Sequence, residues 1–140
     1  MLYEETAVAA EQRMKLVEYG PIIRVRLGRP RGMTTPEVML ETNALIDSGA
    51  YPVVLRSGLP AKLGLTPIRT TKVNSATERH YPAKIYRVVL VFPSGFFVEM
   101  DATELPMPLD NDCGCAIGRS LLKHALFTYD GLTGKYSLTF

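Results

Sequence analysis

The sequence has little that would mark a secreted, membrane-bound or nucleic-acid-binding protein. It has only two cysteines, Cys113 and Cys115, too few and too close together for a disulfide framework, so we expect a reducing, cytoplasmic location. Sixteen basic and fourteen acidic residues leave a net charge of +2, which predicts neither a nucleic-acid partner nor binding to an anionic membrane. No apolar run approaches about 18 residues, and the N-terminal segment MLYEETAVAAEQRMK has early acids but no apolar leader core. We therefore expect neither a membrane span nor a secretory signal.

The chain divides into a helical beginning and a longer part made of short strands. Residues 2–19 are rich in helix formers, and a Gly-Pro pair follows them as a stop signal. Beyond that pair, short apolar runs are separated by turn residues, which predicts an all-β barrel or sandwich with one late helix at residues 119–126. We expect a helical extension over residues 1–20 and a single all-β domain over residues 21–140.

A hairpin is predicted in the middle of the chain. Residues 68–76 and 84–92 have the composition of strands, and they flank a polar stretch that contains the letters TERHYP. A Pro-Ser-Gly turn then leads into another strand. The three phenylalanines around that turn, Phe92, Phe96 and Phe97, are interpreted as core residues.

The segment NALIDSGA, residues 43–50, is the strongest candidate for chemistry. Asp47 follows two large apolar residues at the end of a predicted strand, Ser48 can hydrogen-bond locally, and Gly49 allows a tight turn near the carboxylate. A carboxylate placed in this way is a candidate general acid or base. A strand that ends in an ordinary Asp-Ser-Gly turn would explain the same triplet without catalysis.

A second motif lies near the C-terminal end of the chain. Residues 115–122, CAIGRSLL, read as a strand that runs into a glycine and then a helix. The two motifs, in this order and with a hairpin between them, resemble those of the retropepsin-like aspartic proteases. The chain is similar to bacterial single-domain members over about residues 21–140. The resemblance implies a closed acid-protease barrel with one late helix, preceded by a helical extension over residues 1–20.

The resemblance also implies roles for individual residues. Asp47 matches the catalytic aspartate, and Ser48 stands where the family hydrogen-bonds across the two halves of the active site. Gly49 and Ala50 would contact a bound peptide through their backbone. Residues 74–81 would form a flap over that peptide. The flap residues assigned to substrate binding are Asn74, Ser75, Ala76 and Thr77.

The chain has one copy of the aspartate motif, whereas peptide hydrolysis by aspartates uses two carboxylates that share a proton. No other aspartate in the sequence is followed by Ser-Gly or Thr-Gly. We therefore expect a symmetric homodimer that brings two Asp47 side chains together and hydrolyses a peptide or protein substrate without a metal or cofactor. A non-catalytic dimerisation or peptide-binding module with the same fold is the alternative.

The chain differs from retroviral members in two respects. Tyr51 stands where those enzymes have an acid that pairs with the arginine of the Gly-Arg motif, which is Arg119 here. The expected flap contains no glycine, whereas retroviral flaps are rich in glycine. Outside the motifs, Cys113 and Cys115 are compatible with metal or redox chemistry, but we favour ordinary buried thiols, since only two histidines are available as further ligands.

Overall fold

The computed structural model describes residues 7–30, 37–74, 79–107 and 112–140. These residues form three helices and nine strands. The helices are α1 (Ala7–Tyr19), α2 (Leu59–Lys62) and α3 (Arg119–Leu122). The strands are β1 (Ile22–Arg29), β2 (Glu37–Ile46), β3 (Val53–Arg56), β4 (Arg69–Val73), β5 (Tyr81–Val91), β6 (Phe97–Leu105), β7 (Cys113–Ile117), β8 (Leu126–Asp130) and β9 (Lys135–Thr139).

Six of the strands close into a barrel. The sheet runs in the order β1, β2, β7, β3, β6 and β5, and β5 pairs back to β1 with Leu27 opposite Leu90. β4 extends the sheet beyond β5 as one arm of an antiparallel hairpin, with Val73 opposite Tyr81. This architecture confirms the predicted all-β class and the closed barrel.

Apolar residues from the strands and from both short helices fill the barrel. In β1 the buried Val25 and Leu27 flank the exposed Arg26, as the alternation in the sequence predicts. Leu63, just after α2, and Leu121 of α3 are each 1% exposed and belong to the same core cluster. Each short helix is therefore anchored to the barrel by a leucine, whose burial contributes roughly 2 kcal/mol.

The position of β7 between β2 and β3 determines where the candidate site lies. β2 runs parallel to β7 with Ile46 opposite Ile117, whereas β3 runs antiparallel to β7 with Val54 opposite Ala116. The connection from β2 to β3, residues 47–52, therefore crosses the C-terminal end of β7. Because the chain enters α3 at that same end, the connection and α3 meet there.

The helix α1, which is the described part of the predicted N-terminal helix, packs against the β8–β9 hairpin. Leu16 is buried, and a Cβ at Gly134 in the hairpin turn would overlap the backbone of Gln12 and Arg13. The helix ends at Tyr19, and the next residue, Gly20, has a φ of 78° that is readily adopted only by glycine. None of the helices in the described ranges is long and apolar enough to cross a membrane. The division into an extension and a domain at residue 20 stays a prediction.

Two local predictions are wrong. The late helix is shorter than the predicted 119–126, because α3 spans a single turn and Leu126 already belongs to β8. Phe92 is in the core, but Phe96 and Phe97 are 40% and 51% exposed. The turn before these two residues lies at the surface of the barrel. Phe96 directly precedes β6 and Phe97 is its first residue, and both rings are accessible to water. Phe96 stacks on another surface ring, that of the C-terminal residue, with a centroid distance of 4.5 Å.

Candidate active site

Asp47 follows β2 directly and is held by a backbone turn. Its N–H donates to Ile117 O at 2.9 Å, which extends the pairing of β2 with β7 by one residue. Its carbonyl accepts a hydrogen bond from Ala50 N–H at 3.2 Å, and its Oδ1 accepts one from Gly49 N–H at 3.0 Å. The Asp-Ser-Gly triplet thus forms an aspartate-capped turn that fixes the direction of the carboxylate.

The first two residues of α3 brace this turn. Arg119 N–H donates to Ala50 O, and Ser120 N–H donates to Tyr51 O, each at 2.8 Å. The guanidinium of Arg119 reaches further, because its Nη1 donates to Ser48 O at 2.8 Å. Three carbonyl groups of the loop are therefore held by donors from one short helix, which couples the loop to the barrel core.

Gly118 allows the loop and α3 to come this close. A Cβ at this position would lie 2.7 Å from Tyr51 O and even closer to Pro52 O. Its backbone is extended, with φ of −90° and ψ of −178°, a conformation that any residue can adopt. Glycine is therefore needed here for space and not for its backbone freedom. The Gly-Arg motif therefore packs directly beside the Asp47 loop.

A groove of about 830 Å³ opens beside Asp47. Among the described residues that line it, Asp47 is the one charged side chain, and most of the others are apolar. One wall is the loop from Asp47 to Pro52, and the facing wall comes from β4, β5 and the end of β6 with the residues that follow it. The lining on the facing wall consists of Thr71, Val73, Asn74, Ile85, Leu105, Pro106 and Met107.

The predicted site residues are found in three different situations. Gly49, Ala50 and Asn74 line the groove with Asp47. The side chain of Ser48 is exposed, and the backbone carbonyl of this residue is the acceptor for Arg119. The remaining predicted flap residues, Ser75, Ala76 and Thr77, lie outside the described residues.

The hairpin that carries the predicted flap is present on both sides of its tip. β4 and β5 are its two arms, and they pair antiparallel as the sequence predicts. Where the arms end, Asn74 Oδ1 accepts a hydrogen bond from His80 N–H at 3.1 Å. His80 itself has a φ of 55°, the left-handed conformation that marks the start of the returning strand.

Apart from Asn74, the facing wall of the groove was not identified from the sequence. Thr71 and Val73 occupy alternate positions of β4, and Ile85 lies on the corresponding face of β5 because Arg69 is opposite it. A period-two pattern in the hairpin arms was the available signal. That pattern does not say which of the two faces looks toward Asp47, since this depends on how the hairpin packs on the barrel.

Cys113 and Cys115 are buried free thiols on β7. Burial raises the pKa of Cys115 to about 12, and burial likewise raises the pKa of Cys113. Both side chains are therefore protonated thiols at neutral pH, which makes them poor nucleophiles and poor metal ligands. In the part of the chain that the structure describes, no three His, Cys, Asp or Glu side chains are grouped so as to hold a metal ion.

Comparison with solved structures identifies the fold. The structure of a retropepsin-like aspartic protease from Rickettsia conorii matches with a TM-score of 0.52 and 16% identity over 85% of this chain and 84% of that chain. EIAV protease complexed with an inhibitor matches with a TM-score of 0.47 and 18% identity, covering 74% of this chain and 86% of that one. The retroviral protease-like domain of Ddi1 from Leishmania major matches with a TM-score of 0.44 and 16% identity, covering 78% and 79%.

The last two TM-scores are below 0.5, so the fold assignment rests on the Rickettsia structure together with the barrel topology. No protein-family model matches the chain, and no curated protein matches it significantly in sequence. At 16% identity, the structural match speaks for the fold alone. The chain has a retropepsin-like fold.

Proposed function

We propose that this protein is an aspartic endopeptidase whose catalytic group is Asp47. The observation that carries the proposal is the position of this carboxylate. It lies in an apolar groove of peptide-binding size, it is the one charged side chain in the described lining, and a turn braced by α3 fixes it. A fixed carboxylate in an apolar groove is suited to activating water beside a bound peptide bond.

Each chain supplies one such carboxylate, so we propose that the active species is a homodimer with both Asp47 side chains at the two-fold axis. Two carboxylates about 3 Å apart cannot both ionise, so the pair shares one proton. The unprotonated carboxylate takes a proton from water as the oxygen attacks the peptide carbonyl carbon. The protonated carboxylate gives its proton to the carbonyl oxygen. Return of that proton and protonation of the amine then allow the C–N bond to break.

The residues around Asp47 have supporting roles in this proposal. Gly49 and Ala50 would present backbone groups to the extended peptide, and Ser48 would brace the loop of the other subunit. The β4–β5 hairpin, with Asn74 on the groove side, would cover the substrate and shield it from bulk solvent during the reaction.

Incubation of the purified protein with a mixed peptide library between about pH 4 and pH 7 tests the proposal. We expect the wild type to cleave peptides and the Asp47→Asn variant to lose turnover, while its fold and association state are kept. The amide oxygen of asparagine can still accept the hydrogen bond from Gly49 N–H. Asp130→Asn is the matched control, because Asp130 caps an exposed turn between β8 and β9, away from the groove.

Mixed dimers test the shared use of two carboxylates. A dimer with one wild-type and one Asp47→Asn subunit should be inactive, because one carboxylate cannot serve as both acid and base in the same step. Cleavage that persists in purified Asp47→Asn protein would contradict the proposal. Peptide binding by wild type without any cleavage would instead support the non-catalytic binding module.

A further inference from the structure

A second, smaller pocket adjoins the groove of the proposed active site. It has a volume of about 280 Å³, enough for one side chain of a bound peptide. Tyr51 and Pro52 line both cavities, so the pocket continues the groove past the end of the Asp47 loop. Its other lining residues are Arg69, Arg87, Met100, Asp101, Ser120 and Lys123.

The strand register shows that groove and pocket lie along one face of the sheet. Thr71 of the groove and Arg69 of the pocket are two residues apart on β4, and Ile85 and Arg87 are two residues apart on β5. Side chains two residues apart in a strand point to the same side, about 7 Å from each other. One such step along these strands therefore leads from the apolar residues of the groove to the arginines of the pocket. On the opposite wall, the same step leads from the loop at Tyr51 to α3.

The charges in the pocket favour an anion. The lining has three cations, Arg69, Arg87 and Lys123, and one carboxylate, Asp101. Asp101 is already shared, because Oδ2 accepts from Arg69 Nη2 at 2.8 Å and Oδ1 accepts from Arg87 Nη1 at 2.9 Å. Arg87 Nε also donates to Glu99 Oε1 at 3.4 Å. These three bonds fix the guanidinium groups in place and leave most of their N–H donors unused. Asp101 and Glu99 balance the charges of the two arginines, so the excess positive charge of the pocket is that of Lys123.

Two further donors lie on the α3 side of the pocket. Lys123 has no ion-pair partner within the described ranges, so its ammonium group is available to a ligand. Ser120 Oγ is buried without a hydrogen-bond partner among the same residues. An ammonium, two oriented guanidinium groups and a spare hydroxyl together suit a carboxylate.

We infer that this pocket is a subsite for an acidic side chain of the peptide substrate, two to four residues along the chain from the residue held in the apolar groove. The inference rests on the proposed function, since it assigns a specificity to the same binding groove. The substrate class is therefore a peptide with an apolar segment beside the cleaved bond and a Glu or Asp at one position further out.

Cleavage profiling followed by matched peptides tests this subsite. Bonds cleaved in a mixed peptide library are identified by mass spectrometry, and we expect Glu and Asp to be enriched at one position on the outer side of the apolar segment. Synthetic substrates with Glu, Gln or Lys at that position are then compared. We expect kcat/KM to be about fivefold higher for Glu than for Gln, the size of one or two solvent-exposed charge interactions, and to decrease for Lys.

Variants of Lys123 connect this preference to the pocket. Lys123→Gln should reduce the Glu-to-Gln ratio to about twofold, and Lys123→Glu should abolish it and improve cleavage of the Lys peptide. Lys84→Gln is the matched control. This exposed lysine is on β5 next to Ile85, so its side chain points to the opposite face, and the ratio should not change. Raising the salt concentration from about 0.05 M to about 0.5 M should also weaken the preference, because the pocket is partly exposed.

The outcomes separate the subsite from the proposed function. Cleavage without acidic enrichment, or a Glu-to-Gln ratio unchanged in Lys123→Glu, would overturn the subsite and leave the protease proposal in place. When peptides bind to the immobilised protein without cleavage, the same ratio is measured as Kd, and the protease proposal alone fails. When no peptide is cleaved or bound, both are refuted.

Discussion

Replacing Gly118 with alanine tests whether the Asp47 loop is held by close packing against the start of α3. The added Cβ would lie 2.7 Å from Tyr51 O, 2.8 Å from Pro52 C and closer still to Pro52 O. All three are backbone atoms, which cannot rotate away as the end of a side chain could. The extended backbone of Gly118 suits alanine, so the whole effect comes from this overlap.

The overlap has two consequences for the free energy of unfolding. Forcing a methyl group into a packed site costs about 1–3 kcal/mol. The loop can relieve the overlap only by moving away from α3, which weakens the hydrogen bonds from Arg119 N–H to Ala50 O and from Ser120 N–H to Tyr51 O. Each of these contributes about 1 kcal/mol. We expect Gly118→Ala to lower the free energy of unfolding by about 4 kcal/mol, or Tm by roughly 12 °C.

Urea denaturation followed by circular dichroism measures this change, since the sequence has no tryptophan to report by fluorescence. Gly131→Ala is the matched control. A Cβ there would have its nearest contact at 3.6 Å, with a ring atom of Tyr129, so the variant should remain within about 0.5 kcal/mol of wild type. A Gly118→Ala protein that stays within about 1 kcal/mol of wild type would refute the packing argument.

Three further predictions follow from the same contacts. Arg119→Ala removes the guanidinium that holds the loop, so kcat/KM in the peptide assay should fall about tenfold with Tm nearly unchanged, and an unchanged rate would contradict this positioning role. The hydrogen bond from Arg87, together with Arg69, lowers the pKa of Asp101. The stability that the ionised Asp101 contributes to the fold should therefore be complete above about pH 4 and lost as the pH falls through the lowered pKa. Asp101→Asn should lower the free energy of unfolding by about 0.5 kcal/mol at neutral pH and leave it unchanged in strong acid, measured by urea denaturation. Because the thiol of Cys115 is buried, the native protein should react slowly with an aromatic disulfide reagent at about pH 8, and the unfolded protein should react rapidly. Rapid reaction of the native protein would show that β7 is more accessible than in this structure.

The strands could be predicted from the sequence because their signals are local. The alternation of Val25, Arg26 and Leu27 in β1 depends only on neighbouring residues, and so do the turn residues between strands. The structure confirms the hairpin made by β4 and β5 for the same reason. Closure of the barrel through the pairing of Leu27 with Leu90 joins residues far apart in the chain, and it was expected from the resemblance alone.

The predictions that failed depended on tertiary context. Phe96 and Phe97 are as hydrophobic as Phe92, and residue type alone does not show that the turn before them lies at the surface. The spacing of leucines after Gly118 also fits a longer helix than α3. The chain leaves the helix because Leu126 pairs with Thr139 in the β8–β9 hairpin, a contact with a residue that local periodicity does not include.

The same distinction between local signals and tertiary context applies to the candidate site. The turn at Asp47 could be predicted because it is made by Asp47 and the next three residues. The groove wall at Val73 and Ile85 could not, since it depends on how the β4–β5 hairpin packs. The hydrogen-bond acceptor of Arg119 could not be predicted either, because it is a backbone carbonyl and every residue has one.

The contact made by Arg119 explains how the loop tolerates Tyr51. The resemblance implied an acid at position 51 as the partner of this arginine, and a loop that relied on such a pair would be weakened by a tyrosine. In this chain the guanidinium bonds to Ser48 O instead, and the backbone of Tyr51 accepts from Ser120 N–H. The brace therefore does not involve the side chain at position 51. That side chain is 65% exposed and lies where the groove meets the smaller pocket, so a substitution at position 51 would leave the brace on the Asp47 loop intact.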